Sequence, residues 1–79
     1  MGHELTKNDI KKMEEEIEYR IHEVRKAALD DVKETRAQGD LSENFEYHAA
    51  KRFKNKNESR IRYLQRTIKN ATVIDDSSA

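Results

Sequence analysis

Cysteine, proline and tryptophan are all absent from this 79-residue chain, and glycine occurs only twice. Without cysteine there is no disulfide framework and no thiolate zinc site. Without proline nothing in the composition breaks a helix from within. No apolar run exceeds a few residues, so no membrane span and no signal-peptide core can be read in the sequence. A cytoplasmic protein is the default expectation. An excess of one charge is also missing. The 16 Lys and Arg residues balance 16 Asp and Glu, and bulk charge therefore points to neither nucleic acid nor membrane.

What the chain has is charge in quantity. Charged residues make up 41% and hydrophobic ones 34%, a Glu-, Lys- and Arg-rich profile that suits long helices. The length allows at most one small domain. So short a chain buries little core, and a lone helical hairpin of this size is marginally stable. A piece of a larger protein or an oligomer is therefore expected.

The first helix has a clear start. Thr6 and Asp9 form a T-x-x-D capping pattern, with Leu5 and Ile10 at the positions of a hydrophobic staple. Residues 1–4 precede this signal and are read as frayed or partly vector-derived. The apolar stripe Ile10, Met13, Ile17, Ile21, Val24, Ala28, Val32 has helical spacing, and Gly39 supplies a stop. A second stripe follows: Phe45, Ala49, Phe53, a polar Asn57, then Ile61, Leu64, Ile68 and Ala71. Thr72 to Asp75 is short and β-prone, and 76–79 reads as a tail.

The two stripes fit each other antiparallel. Ile10 with Ala71, Met13 with Ile68, Ile17 with Leu64, Val24 with Asn57, Ala28 with Phe53 and Val32 with Ala49 share one index sum, and Ile21 with Ile61 departs from it by one. The expected fold is all-α: a long antiparallel two-helix coiled-coil hairpin. Helix 1 covers about 7–38, the tip 39–42 and helix 2 about 43–71. From Ile10 to Leu41 the rod is about 45 Å long at 1.5 Å per residue. Glu14, Glu15, Glu16 and Glu18 lie opposite Arg60, Arg62, Arg66 and Lys69, so interhelical ion pairs are expected, each weak. Asn57 interrupts the core and can fix register at a cost in stability.

The run 39–50, GDLSENFEYHAA, carries the candidate site. It sets two carboxylates, Asp40 and Glu43, at the far end of the rod. One reading is structural. Asp40-x-x-Glu43 resembles a capping box opening helix 2, and Ser42 is a rival N-cap. The other is chemical. Magnesium takes oxygen ligands, often one or two carboxylates with waters or phosphates completing the shell. Two tip carboxylates can complete a site whose other ligands belong to a partner. His3, His22 and His48 are too dispersed for a metal site, and Tyr19 and Tyr63 are expected to flank the seam. No phosphate loop, Ser/His/Asp set or thiol nucleophile can be assembled.

The run Gly39-Asp40-Leu41-Ser42-Glu43-Asn44, with Glu46-Tyr47 and Ala49-Ala50, closely resembles the tip motif of the bacterial Gre transcript-cleavage factors. Thr6, Arg36, Glu58-Ser59-Arg60-Ile61 and 70–75 extend the resemblance over about residues 5–75. It implies a coiled coil that enters the secondary channel of RNA polymerase. There Asp40 and Glu43 help hold a second magnesium ion and a water, and the polymerase cleaves the 3′ end of backtracked RNA. The chain is then an activator of the polymerase's own cleavage and not an enzyme. Asn44 and Tyr47 belong to the same motif, and the resemblance implies that they bind the partner or the RNA. Arg36, Lys51 and Arg52 stand behind the acids, where they meet RNA phosphates or an acidic channel wall, or form an ordinary solvated face. The alternatives are a channel binder that inhibits or modulates without cleavage, and a purely structural coiled coil.

Gre factors carry a second, FKBP-like domain after the coiled coil, and this chain ends where that domain is expected to begin. Phe45 stands where the family usually has alanine, as does Thr35. The middle of helix 1 resembles the family least.

Overall fold

The computed structural model describes residues 4–38 and 44–74. Strand β1 (Glu4–Thr6) leads into α1 (Lys7–Tyr19), a π-helical turn (Arg20–Val24) and α2 (Arg25–Arg36). Helix α3 (Phe45–Lys69) returns, and β2 (Thr72–Ile74) closes the order. The molecule is a rod of 58 × 23 × 16 Å. The helical hairpin expected from the stripes is present, with each arm a few residues shorter than read.

The capping box at the start of α1 forms as expected. The Asp9 N–H donates to Thr6 Oγ1 at 3.0 Å, and the Thr6 N–H donates to Asp9 Oδ2 at 3.1 Å. Those two bonds satisfy donors that a helix start leaves without partners. They also hold the Asp9 carboxyl below its usual range, the backbone bond contributing most.

A two-stranded parallel sheet is added to the hairpin. Glu4 faces Thr72, Leu5 faces Val73 and Thr6 faces Ile74. Parallel strands need a long crossover, and the whole hairpin is that crossover. Thr72 to Ile74 is the β-prone segment anticipated from its β-branched residues. Glu4, by contrast, is part of a strand rather than a frayed end. A three-residue segment without its partner carries no pairing signal, so β1 was not legible. The sheet fixes both arms at the base, opposite the tip.

The seam along α3 and just past its end follows a heptad repeat through Tyr47, Ala50, Lys54, Asn57, Ile61, Leu64, Ile68 and Ala71. All eight are buried or half-buried. Ile61 and Leu64 anchor it, each contributing roughly 1.5–3 kcal/mol by burial. From Asn57 toward the base this matches the sequence reading. Toward the tip it corrects it. Phe45 is 84% exposed, Phe53 is 52% exposed and Ala49 is exposed, while Ala50 is buried. Alternating steps of three and four, continued backward from Ile61, lead to Lys54 and Ala50. Following apolarity alone led one face too far round. Ala28 is buried, as expected, and Thr35, which carried no apolar signal, is buried with it.

The π-turn explains the phase of the first arm. The Arg25 N–H bonds to the Arg20 carbonyl, five residues back, and one extra residue is absorbed. Up to its first residue, half-buried Met13 and Arg20 are seven apart. From its second residue on, Ile21, Ala28 and Thr35 repeat at the same spacing, one position later.

Candidate functional site

The closed end of the hairpin lies between the end of α2 and the start of α3. Asp40 and Glu43, with Gly39, Leu41 and Ser42, lie outside the described residues. The two chain ends on either side are defined. At the end of α2 the Ala37 N–H bonds to the Lys33 and Glu34 carbonyls, and the Gln38 N–H to the Thr35 carbonyl, all at 3.2 Å. The Thr35 hydroxyl donates to the Asp31 carbonyl at 2.9 Å, which satisfies this buried side chain within its own helix.

Asn44 joins both arms. Its Oδ1 accepts the Tyr47 N–H at 2.9 Å, so it is the N-cap of α3. Its Nδ2 donates to the Thr35 carbonyl at 2.6 Å. One side chain thus caps the N-terminus of one helix and a C-terminal carbonyl of the other, two sets of groups that helix ends leave without partners. Because one partner is an N–H and the other a carbonyl, only one orientation of the amide fits. Helix α3 therefore opens at Phe45 on an Asn44 cap.

The remaining candidates divide between faces. Tyr47 is half-buried in the first turn of α3. Lys51 Nζ lies 5.5 Å from its ring centroid, and the His48 ring meets it edge-on at 5.5 Å. Tyr47 and Lys51 form one cluster by helical spacing. Arg52, exposed, projects from the next position round the helix, and Arg36 is exposed on the opposite arm at the end of α2. Among the described residues no group of three or more His, Cys, Asp or Glu is placed to hold a metal. No helix among them is long and apolar enough to cross a membrane.

Behind the tip, the shaft is held by polar clamps. Arg25 Nε and its NH2 group reach Glu58 Oε2 and Oε1, both at 2.8 Å. Arg60 Nε reaches Glu16 Oε2 at 2.9 Å, and Arg20 Nε reaches the same oxygen at 2.7 Å. Of the acid–base facing expected between the arms, Glu16 with Arg60 is realised. Glu18 instead lies 2.8 Å from His22 on its own helix. The hydrogen bonds from Arg60 and Arg20 lower the Glu16 pKa to about 2. The Arg25 bond lowers that of Glu58. Glu58 and Arg60, of the run Glu58-Ser59-Arg60-Ile61, are thereby interhelical clamps, and Ile61 is the core residue beside them. The Arg25 side of these clamps was not anticipated. An Arg across from a Glu has no periodic signature.

A family model described as "Transcription elongation factor, N-terminal" (GreA_GreB_N) matches residues 3–73. The Transcription elongation factor GreA of Allorhizobium ampelinum is 44% identical over 71 residues, covering 90% of this chain and 45% of that relative. That of Chlorobium limicola is 39% identical over 71 residues, with the same coverage of 90% and 45%. That of Brucella canis is 42% identical over 73 residues, 92% of this chain and 46% of the relative. The chain spans a little under half the length of the curated relatives it matches.

Proposed function

This chain belongs to the N-terminal family of the GreA and GreB transcription elongation factors, and we propose that it acts on RNA polymerase through the closed end of its hairpin. The rod enters the secondary channel and brings Asp40 and Glu43 to the polymerase active centre in the cytoplasm. There the polymerase cleaves the 3′ end of backtracked RNA with their help. The observation that carries this reading is the shape and construction of the hairpin. It is 58 Å long and 16–23 Å across, and its second arm opens on an Asn44 cap directly after the tip run.

The donor set fits magnesium, a hard cation that is often held by one or two carboxylates with other oxygen ligands from elsewhere. Such an ion orients or activates the attacking water in two-metal phosphodiester chemistry. Asp40 and Glu43 would supply carboxylate oxygens to it, and the partner would complete the shell. Lys51, held near Tyr47, and the exposed Arg36 and Arg52 supply positive charge behind the tip for phosphates.

The test is a backtracked elongation complex in magnesium buffer. Adding the chain shortens the RNA from its 3′ end. Asp40→Ala or Glu43→Ala abolishes the shortening with helix content unchanged. Competition with a channel-binding factor without cleavage replaces this reading by the inhibitory one, for which the exposed Phe45 is the motivating feature. Calorimetry on the isolated chain shows negligible magnesium binding; tight one-to-one binding would sink the shared site.

A further inference from the structure

We propose that Asn44 is a positioning residue for the tip acids, acting as a strut between the two arms and not as a contact to RNA or polymerase. The inference rests on the reading of the tip as cleavage-activating. Its basis is the pair of bonds at 2.9 and 2.6 Å that tie one amide to the Tyr47 N–H and the Thr35 carbonyl. Thr35 is itself buried, with its hydroxyl bonded to Asp31, so the strut ends on a fixed point. The other end is the first turn of α3, where Ala50 is buried in the seam. The chain leaves α2 just after the first anchor and re-enters α3 at the second. The strut therefore sets the separation of the two points that bound 39–43. A carboxylate pair that completes a metal site made mostly by another protein depends on that separation, because a displacement of about 1 Å in a reacting arrangement costs on the order of 100-fold in rate.

A cap alone and a strut make different demands on the side chain, and two variants separate them. Asn44→Asp keeps an oxygen for the Tyr47 N–H and sets a second oxygen against the Thr35 carbonyl in place of the donor. Asn44→Ser keeps a good N-cap and has no amide to span to Thr35. Both are compared with the wild-type chain for helix content, for competition with a second channel-binding factor, and for cleavage across a magnesium titration at saturating chain.

In both variants helix content and competition stay at the wild-type level. The maximal cleavage rate falls roughly tenfold or more, and the magnesium concentration giving half-maximal cleavage rises. Wild-type cleavage in both variants overturns the proposal. So does a loss of competition at normal helix content, which makes Asn44 a contact residue. A loss of helix content in both also overturns it, since the role is then folding. Failure of the wild-type chain itself to stimulate cleavage strikes the proposed function, and is distinguished from these because no variant is involved.

Discussion

The amide of Asn57 donates to the backbone carbonyl of Arg20 at 3.2 Å, and the guanidinium of Arg20 returns a bond to Asn57 Oδ1 at 3.0 Å. That carbonyl also accepts the Arg25 N–H that defines the π-turn. The polar residue in the middle of the α3 seam is therefore matched to the irregular turn of the other arm. A buried amide is tolerated there because both of its ends are bonded. Arg20 passes the connection on to Glu16, and Glu16 to Arg60. The chain of bonds runs from core to surface across the two arms.

Asn57→Ala removes both bonds from a residue only 3% exposed. The variant is expected to lose about 1–3 kcal/mol, the usual penalty when buried polar partners are left behind. Urea unfolding followed by helix signal measures it. A change within experimental error would show that the match to the π-turn adds nothing.

Acid should weaken the shaft. The Glu16 pKa is lowered from 4.5 to about 2 by Arg60 and Arg20. A depressed carboxylate stabilises the fold fully above its unfolded value and loses that contribution as pH falls through its folded value. Stability should thus decline between about pH 4.5 and pH 2, by on the order of 1–2 kcal/mol after allowance for solvent screening. Glu58 adds to the same trend, its pKa being lowered by Arg25. Thermal unfolding across this range should show the decline, and Glu16→Gln should remove much of it.

The phase of α3 predicts opposite outcomes at neighbouring positions. Phe45→Ala should change stability by less than about 0.5 kcal/mol, as for a surface site. Ala50→Leu, inserted into a buried position, should cost about 1–3 kcal/mol by overpacking. Equal effects in chemical unfolding would mean that the seam runs along the phenylalanines after all.

The Arg25–Glu58 fork should show coupling. A double-mutant cycle with Arg25→Ala and Glu58→Ala is expected to give a small favourable coupling, since both side chains are partly exposed. Arg25→Lys should recover only part of it, because an ammonium cannot form two parallel bonds to one carboxylate. Full recovery in unfolding measurements would show that charge alone matters.

The candidate site was legible in the sequence by motif and hidden in its mechanics. GDLSEN marked the tip, and the resemblance it carries agrees with the family match over residues 3–73. Asn44 was read as a partner-facing member of that motif. Its pair of hydrogen bonds, one to each arm, could not be seen, because both partners are backbone groups, which leave no mark on sequence. Thr35 itself looked like a departure from alanine. Its hydroxyl bonds back to its own helix, which lets the residue sit in the core.

The sequence by itself determined what local and periodic forces control. The capping box of Thr6 and Asp9 links residues only three apart in the chain. The apolar spacing from Ile61 to Ala71 specifies one helix face, and the stripe before it specifies a partner, so the hairpin follows. Tertiary structure decided the rest. Which face of α3 is buried near the tip depends on where the first arm lies after its π-turn, and that turn displaces the seam by one residue. Ala28, Thr35 and Ala50 are buried there and Phe45 and Phe53 are left outside, although the phenylalanines are the most apolar residues in that stretch. The parallel pairing of Glu4–Thr6 with Thr72–Ile74 likewise forms only after the hairpin has brought its two ends together.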